Sequence, residues 1–241
     1  MRVGIICAGD SELAPFLPLI AGCKTTEKAM LKFYEGTING IAVVALFSGV
    51  CKVNAAIAAQ ILIDTYGVDI MVNAGTAGGM APELEIFDSV ISTEAAYYDV
   101  APDILTEFHP WLDSVYFKSD QELLDLTHRA VDKIDTEGNV YWGRMVTGET
   151  FIADEGRQKI NEQFSPMTVD METASIAHVC YVNRIPFIAI RSITDTAAHS
   201  GAGHFEENCK RASEIAKDIT TALLKELLCH SNGRRNQNTP A

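Results

Sequence analysis

A chain of 241 residues, 47% hydrophobic and 21% charged, can bury a full core and excludes disorder as its main state. With 19 Lys+Arg against 32 Asp+Glu it carries a formal charge of −13, a field that repels phosphate backbones and anionic membrane surfaces, so neither nucleic acid nor membrane is an expected partner. The longest apolar run, Ile41–Phe47, falls far short of the roughly 20 residues of a membrane-spanning helix, the start lacks a secretory pattern, and six cysteines at wide spacings form no CxxC pair, which together predict a cytoplasmic protein with reduced thiols.

Residues 3–8 are short, continuous and rich in β-branched side chains, followed by turn and cap chemistry at Gly9-Asp10-Ser11. That is a buried strand feeding a helix, which Pro15 and Pro18 must keep short or distorted. Ile41–Phe47 reads as a second strand and residues 53–66 as an Ala-rich helix. Residues 68–73 form a third buried strand, ended by Gly75-Thr76-Ala77-Gly78-Gly79, which reads as a turn; residues 87–92 give a fourth. Between Ala95 and Lys118 the periodicity fails, and Pro102, Pro110 and Trp111 predict a long ordered loop. Residues 121–134 read as helix, 139–146 as strand, 171–183 as helix and 186–192 as buried strand. Ala212, Ile215, Ala216, Ile219, Ala222 and Leu223 repeat at three and four, the stripe of a helix docked on a sheet. Residues 230–241 are polar and read as a disordered tail, leaving one domain over residues 1–229.

Strands alternating with helices predict an α/β fold with a parallel or mixed sheet, and in such sheets ligands gather at the carboxyl ends of the strands. That rule selects Asp10 and Glu12, Gly49 and Lys52, the glycine cluster, and Thr194-Asp195. Each has a plain reading. The glycine cluster fits neither GxGxxG nor the Walker pattern. Glu12 alone reads as a solvated first-turn carboxylate, and Asp195 alone as a helix cap. Glu172 differs: among apolar and small neighbours an unpaired carboxylate is expensive, so it points to hydroxyl recognition or a buried ion pair. His199, His204 and Cys209 match no common metal spacing.

Six segments in order carry a further signal: Val3-Gly4-Ile5-Ile6 leading to Glu12; Ser48-Gly49-Val50-Cys51-Lys52-Val53-Asn54-Ala55-Ala56; Asn73-Ala74-Gly75-Thr76-Ala77-Gly78-Gly79; Thr147-Gly148-Glu149-Thr150-Phe151-Ile152; Val169-Asp170-Met171-Glu172; and Arg191-Ser192-Ile193-Thr194-Asp195. Together the chain resembles the 5′-methylthioadenosine/S-adenosylhomocysteine nucleosidases of the nucleoside phosphorylase superfamily. The resemblance implies a three-layer α/β/α sandwich with a central mixed sheet, a homodimer, no cofactor, and hydrolysis of the N-glycosidic bond of an adenine-containing thionucleoside by water. It assigns Asp195 as the acid serving adenine N7, which requires a carboxyl kept neutral by desolvation. It also assigns Glu12 as the base that activates water, and Glu172 as the ligand of the ribose hydroxyls. Phe151 matches the aromatic that stacks on adenine, the Ile152 backbone its polar-edge reader, Met171 a ribose contact, and Phe205 a lining residue of the 5′ pocket. Thr76, Ala77 and Gly78 belong to the matching glycine segment, and Thr194 and Thr76 stand where serine is common.

Departures from the family pattern are Gly9 in place of a larger apolar residue, Glu149 in place of aspartate, Cys51 in place of a glycine, and a shorter, divergent segment 97–116. They bear on the 5′ substituent more than on adenine or ribose. A phosphorylase of the same superfamily needs cations around phosphate, yet Asn73 and the acidic segment 9–13 stand where its arginines are expected. The remaining alternatives are cleavage of 6-amino-6-deoxyfutalosine, a silent nucleoside-binding module, which has no need of an acid and a base, and a dinucleotide oxidoreductase, which lacks its GxGxxG fingerprint.

Overall fold

β1 (Arg2–Cys7) lies between β4 (Ile41–Phe47) and β5 (Ile70–Gly79), parallel to both, and its residues 3–7 are buried as a continuous apolar run on two faces requires. This is the centre of a computed structural model that describes residues 1–153 and 156–237, with side chains described as far as residue 233. Among the described residues, ten strands form one mixed sheet. On one side of β1 the sheet stays open: β3 (Leu31–Ile38) pairs antiparallel with β4, and β2 (Ala21–Lys28) with β3.

On the other side it closes on itself. β5 pairs in parallel with β10 (Phe187–Asp195), and β10 antiparallel with β6 (Ser89–Tyr97). β6 runs parallel to β8 (Val140–Thr147), β8 parallel to β9 (Thr168–Asp170), and β9 returns to β5 at Gly78–Gly79. β5 therefore shares one edge between β1, as far as Asn73, and β9, from Gly78 onward. Between them the β5 edge is open, and the functional side chains collect there.

Helices cover both faces. Ile5, Val43, Val72 and Ile188 pack with α4 (Gln121–Val131) and α7 (Ala202–Gln237); Ile6, Val44, Met71 and Ala189 pack with α2 (Lys52–Tyr66) and α6 (Thr173–Asn183). Consecutive residues thus face opposite layers, as the pleat dictates, and the fold is the expected α/β/α sandwich. α1 is the single turn Asp10–Leu13, followed by a 3₁₀ turn at Leu17–Leu19 where the prolines predict distortion. α3 (Pro102–Glu107) and the short β7 (Phe117–Lys118) break up the segment expected to be loop, and α5 (Arg157–Phe164) precedes β9.

Several expectations need correction. β2 and β3 were not foreseen: every residue of β2 is exposed, so no buried alternation marks it. The glycine cluster is not a turn but the buried second half of β5, pairing with β10 through Gly78. β10 runs three residues beyond Ser192, so that Thr194 and Asp195 lie in the strand itself. α7 continues past His230 to Gln237, where a polar tail was expected; residues 238–241 lie outside the described residues.

Candidate active site

The single turn of α1 turns Glu12 back on its own start. Its Oε2 accepts the N–H groups of Ala8 at 2.6 Å and Gly9 at 3.2 Å, the back-bond of a third-position glutamate at a helix start. Oε1 crosses to the open edge of β5 and accepts both the N–H of Thr76, at 2.7 Å, and its hydroxyl, at 2.8 Å. The carboxylate thus takes a place in the ladder that a strand would otherwise fill. The glycine at position 75 has a spatial cause: a Cβ there would lie 2.5 Å from the Glu12 carboxyl carbon. Glu12 is 4% exposed, contrary to its plain reading as a solvated first-turn acid.

Glu172 precedes α6. Its Oε1 accepts the N–H of Cys51 at 2.9 Å, and its Oε2 that of Arg191 Nη2 at 3.5 Å. Burial pushes its carboxyl up to about 7, with Asp170 and Glu12 adding to the rise and Arg191 and the Cys51 N–H opposing it. Cys51 holds that N–H in place with φ +82° and ψ 163°, backbone that favours glycine, which gives the family's glycine at this position a physical reason.

Two residues that sequence reasoning gave no role tie this end together. Asp170, on β9, accepts the Thr147 hydroxyl at 2.6 Å and the N–H groups of Glu172 and Thr173 at 3.1 and 3.0 Å, and also takes the Thr173 hydroxyl. Arg191, in the middle of β10, is fully buried, with Nη1 3.8 Å from Glu12, Nε 3.5 Å from Asp170 and Nη2 3.5 Å from Glu172. Its donors also reach Thr173 Oγ1 and the Thr76 carbonyl. A cation therefore does stand beside the acids, although neither Asn73 nor segment 9–13 supplies it. The guanidinium is engaged by carboxylates, a hydroxyl and a carbonyl, and it does not line the cavity. A charged residue inside an otherwise apolar run, residues 186–192, was the available signal.

Asp195 ends β10 on the far side of the site. Its Oδ1 accepts the Thr194 hydroxyl at 2.9 Å, and Arg157 Nη2 stands 3.4 Å from Oδ2. Gly78 lets the β5 backbone approach, since a Cβ there would sit 3.1 Å from Oδ2. Burial pushes the Asp195 carboxyl above its ordinary value against the opposing effects of Thr194, Arg157 and His204.

Glu12, Glu172 and Asp195 line one cavity of about 280 Å³. Thr76, Ala77, Gly78, Met171 and Thr194 also line it. Phe151 and Phe205 meet edge-on there with ring centroids 6.3 Å apart, and Phe151 is 43% exposed. Ile152 lies in a small adjoining recess shared with Phe151 and Asp195, where its carbonyl accepts Arg157 Nη2 at 3.4 Å. All eleven residues that the family resemblance assigns to the site thus gather at one place. Lys52 does not: its ammonium pairs with Asp99 at 2.9 Å and nears Glu149 at 3.8 Å, outside the cavity lining. Among the described residues no group of His, Cys, Asp or Glu is placed to hold a metal ion.

Known proteins match this arrangement along nearly the whole chain. The model of the phosphorylase superfamily matches residues 2–225. A 5′-methylthioadenosine/S-adenosylhomocysteine nucleosidase of Anoxybacillus flavithermus is 33% identical over 94% of this chain and 99% of its own length, and one of Actinobacillus succinogenes is 34% identical over 94% and 100%. Among solved structures, a nucleosidase of the same name from Colwellia psychrerythraea, in complex with adenine, superposes with a TM-score of 0.86 at 33% identity, covering 94% of this chain and 96% of its own. Futalosine hydrolase of Helicobacter pylori superposes with a TM-score of 0.85 at 21% identity, a likeness of fold. By sequence and by structure, the chain belongs to the phosphorylase superfamily and, within it, to the 5′-methylthioadenosine/S-adenosylhomocysteine nucleosidases.

Proposed function

We propose that this protein hydrolyses the N-glycosidic bond of 5′-methylthioadenosine and S-adenosylhomocysteine, releasing adenine and a 5-thio-substituted ribose. The observation that carries the reading is the pair of unlike carboxyl groups on one cavity. Four donors converge on Glu12, whereas burial pushes the Asp195 carboxyl above its ordinary value. Unlike surroundings suit the two carboxyl groups to unlike roles, one as base and one as acid. As the bond from C1′ to the purine breaks, its electron pair moves into the base and Asp195 gives its proton to N7. Water adds to the electron-poor C1′ and gives a proton to Glu12. Glu172 holds the ribose hydroxyls with Met171 beneath them, a contact that strengthens as positive charge develops on the sugar. Phe151 stacks on the base, the Ile152 backbone reads its edge, and Phe205 borders the 5′ group.

Water rather than phosphate is the acceptor because Arg191 is spent on Glu12, Asp170 and Glu172, leaving a cavity whose charged lining is carboxylate. Purified protein is expected to release adenine from methylthioadenosine in phosphate-free buffer at a rate that added phosphate leaves unchanged. A strict phosphate requirement overturns the reading. Comparing kcat/KM for methylthioadenosine, adenosylhomocysteine and 6-amino-6-deoxyfutalosine ranks the 5′ groups.

The protein works as a cytoplasmic homodimer in this reading. Exposed Val50, Val53 and Ile57 on and before α2, with Ile104, Phe108 and Trp111 in and after α3, supply apolar surface of the kind a partner covers. Among the described residues, no helix is long and apolar enough to cross a membrane. A monomeric mass in sedimentation equilibrium at micromolar concentration overturns the dimer.

A further inference from the structure

Arg157 opens α5 and is 7% exposed. Its guanidinium meets three chain segments around Asp195. Nη1 donates to the Gly79 carbonyl at 2.6 Å, at the end of β5. Nε donates to the Ala153 carbonyl and Nη2 to that of Ile152 at 3.4 Å, in the segment that carries Phe151. Nη2 also stands 3.4 Å from Asp195 Oδ2, at the end of β10. The Phe151 segment belongs to no helix or strand, so its backbone has no ladder to fix it. A planar fork of five donors can supply that register from one side chain.

We propose that Arg157 is a positioning residue for the hydrolysis: it holds the Phe151-Ile152 segment in register with Asp195 and stabilises the Asp195 carboxylate that remains once the proton has moved to the base. The proposal rests on Asp195 being the acid. A desolvated carboxylic acid gives up its proton poorly. A cation beside it gains little from the neutral acid and much from the carboxylate, so the contact grows stronger as the proton leaves. Among the described residues, the other ionisable groups around Asp195 are His204 on α7 and, on the same cavity, Asp170, Glu172 and Glu12, which share Arg191; β5 presents Gly78, which brings no charge.

Arg157→Met keeps the apolar stem and removes both the charge and the donors. With methylthioadenosine its kcat is expected to fall by at least about tenfold at neutral pH. The alkaline limb of the kcat profile should move to higher pH, because Asp195 without its cation keeps its proton longer. Adenine should bind more weakly. Arg157→Lys should recover part of kcat, and free guanidinium should do the same for Arg157→Ala. A Met variant with unchanged kcat and limb overturns the proposal. So does a loss that follows the melting temperature while the limb and the adenine affinity stay fixed. If the wild-type protein released no adenine, the assignment of the acid would fall, and adenine affinity across the variants would still decide whether Arg157 positions the segment.

Discussion

At one end of the cavity Glu12 accepts four hydrogen bonds, and Asp170 and Glu172 share the buried Arg191 with it. At the other end Asp195 accepts the Thr194 hydroxyl, meets Arg157 at 3.4 Å, and faces two aromatic rings. The first end rests on β5, β9, β10 and the turn of α1, and its polar atoms are tightly partnered. The second rests on a strand end, the irregular Phe151 segment and the start of α7. Burial that pushes the Asp195 carboxyl above its ordinary value suits a group that must give a proton. The contrast also separates a buried region from one that includes half-exposed Phe151.

The largest effect is expected at the donor-poor end. Asp195→Asn keeps the shape but has no acid proton to give, so adenine release should fall by about 10³-fold or more while the melting temperature stays close to wild type. Activity near wild type would remove Asp195 from its role and erase the contrast. At the donor-rich end the cost should appear in stability instead. Arg191→Met leaves three buried carboxylates without their shared cation, and urea unfolding should show a loss of about 3–5 kcal/mol. A loss below about 1 kcal/mol would mean that this end is not held by charge.

A subtler test uses pH. The Glu172 carboxyl rises from an ordinary 4.5 to about 7 on folding, so the folded protein binds its proton more tightly than the unfolded chain does. That favours the fold fully below the ordinary value and is lost as pH rises through the folded one. Relative to Glu172→Gln, the wild-type melting temperature should therefore fall across that interval, and parallel curves would place the proton elsewhere. The smallest effect is expected at Cys51, where glycine would relieve the φ +82° backbone. Cys51→Gly should gain about 1 kcal/mol in the same unfolding assay, and a loss would show that the thiol's contacts outweigh the strain.

Much of this was legible in the sequence wherever burial leaves a simple trace. β1, β4 and the first half of β5 read as strands because both faces are covered. The second half of β5 misled because glycine signals either a turn or a close approach, and the close approach of Glu12 is visible in space alone. Six motifs hold every cavity-lining candidate except Phe205, but motifs name groups and not their supports. Asp170 and Arg191 sat inside quoted motifs without a role, although a charge within a buried run is itself a signal. Arg157 gave none, since among the described residues its guanidinium meets backbone carbonyls of the adjoining Ile152-Ala153 and the distant Gly79, which carry no side-chain signature.

The strand that pattern reading could not see has a consequence for solubility. Closing β5, β10, β6, β8 and β9 into a ring leaves the β5 edge open only between Asn73 and Gly78, where Glu12 caps it, but β2 ends the opposite arm with one side unpaired. An unpaired, flat, apolar edge is a template for another copy of the chain. Here the exposed edge carries Lys24, Glu27 and Lys28 in sequence with threonines, and its pairing with β3 is irregular between Ala21 and Lys24. Charge makes a second edge unwelcome and the irregularity spoils its register. The absence of a hydrophobic pattern that hid β2 from the sequence is also what keeps its backbone from recruiting a neighbour.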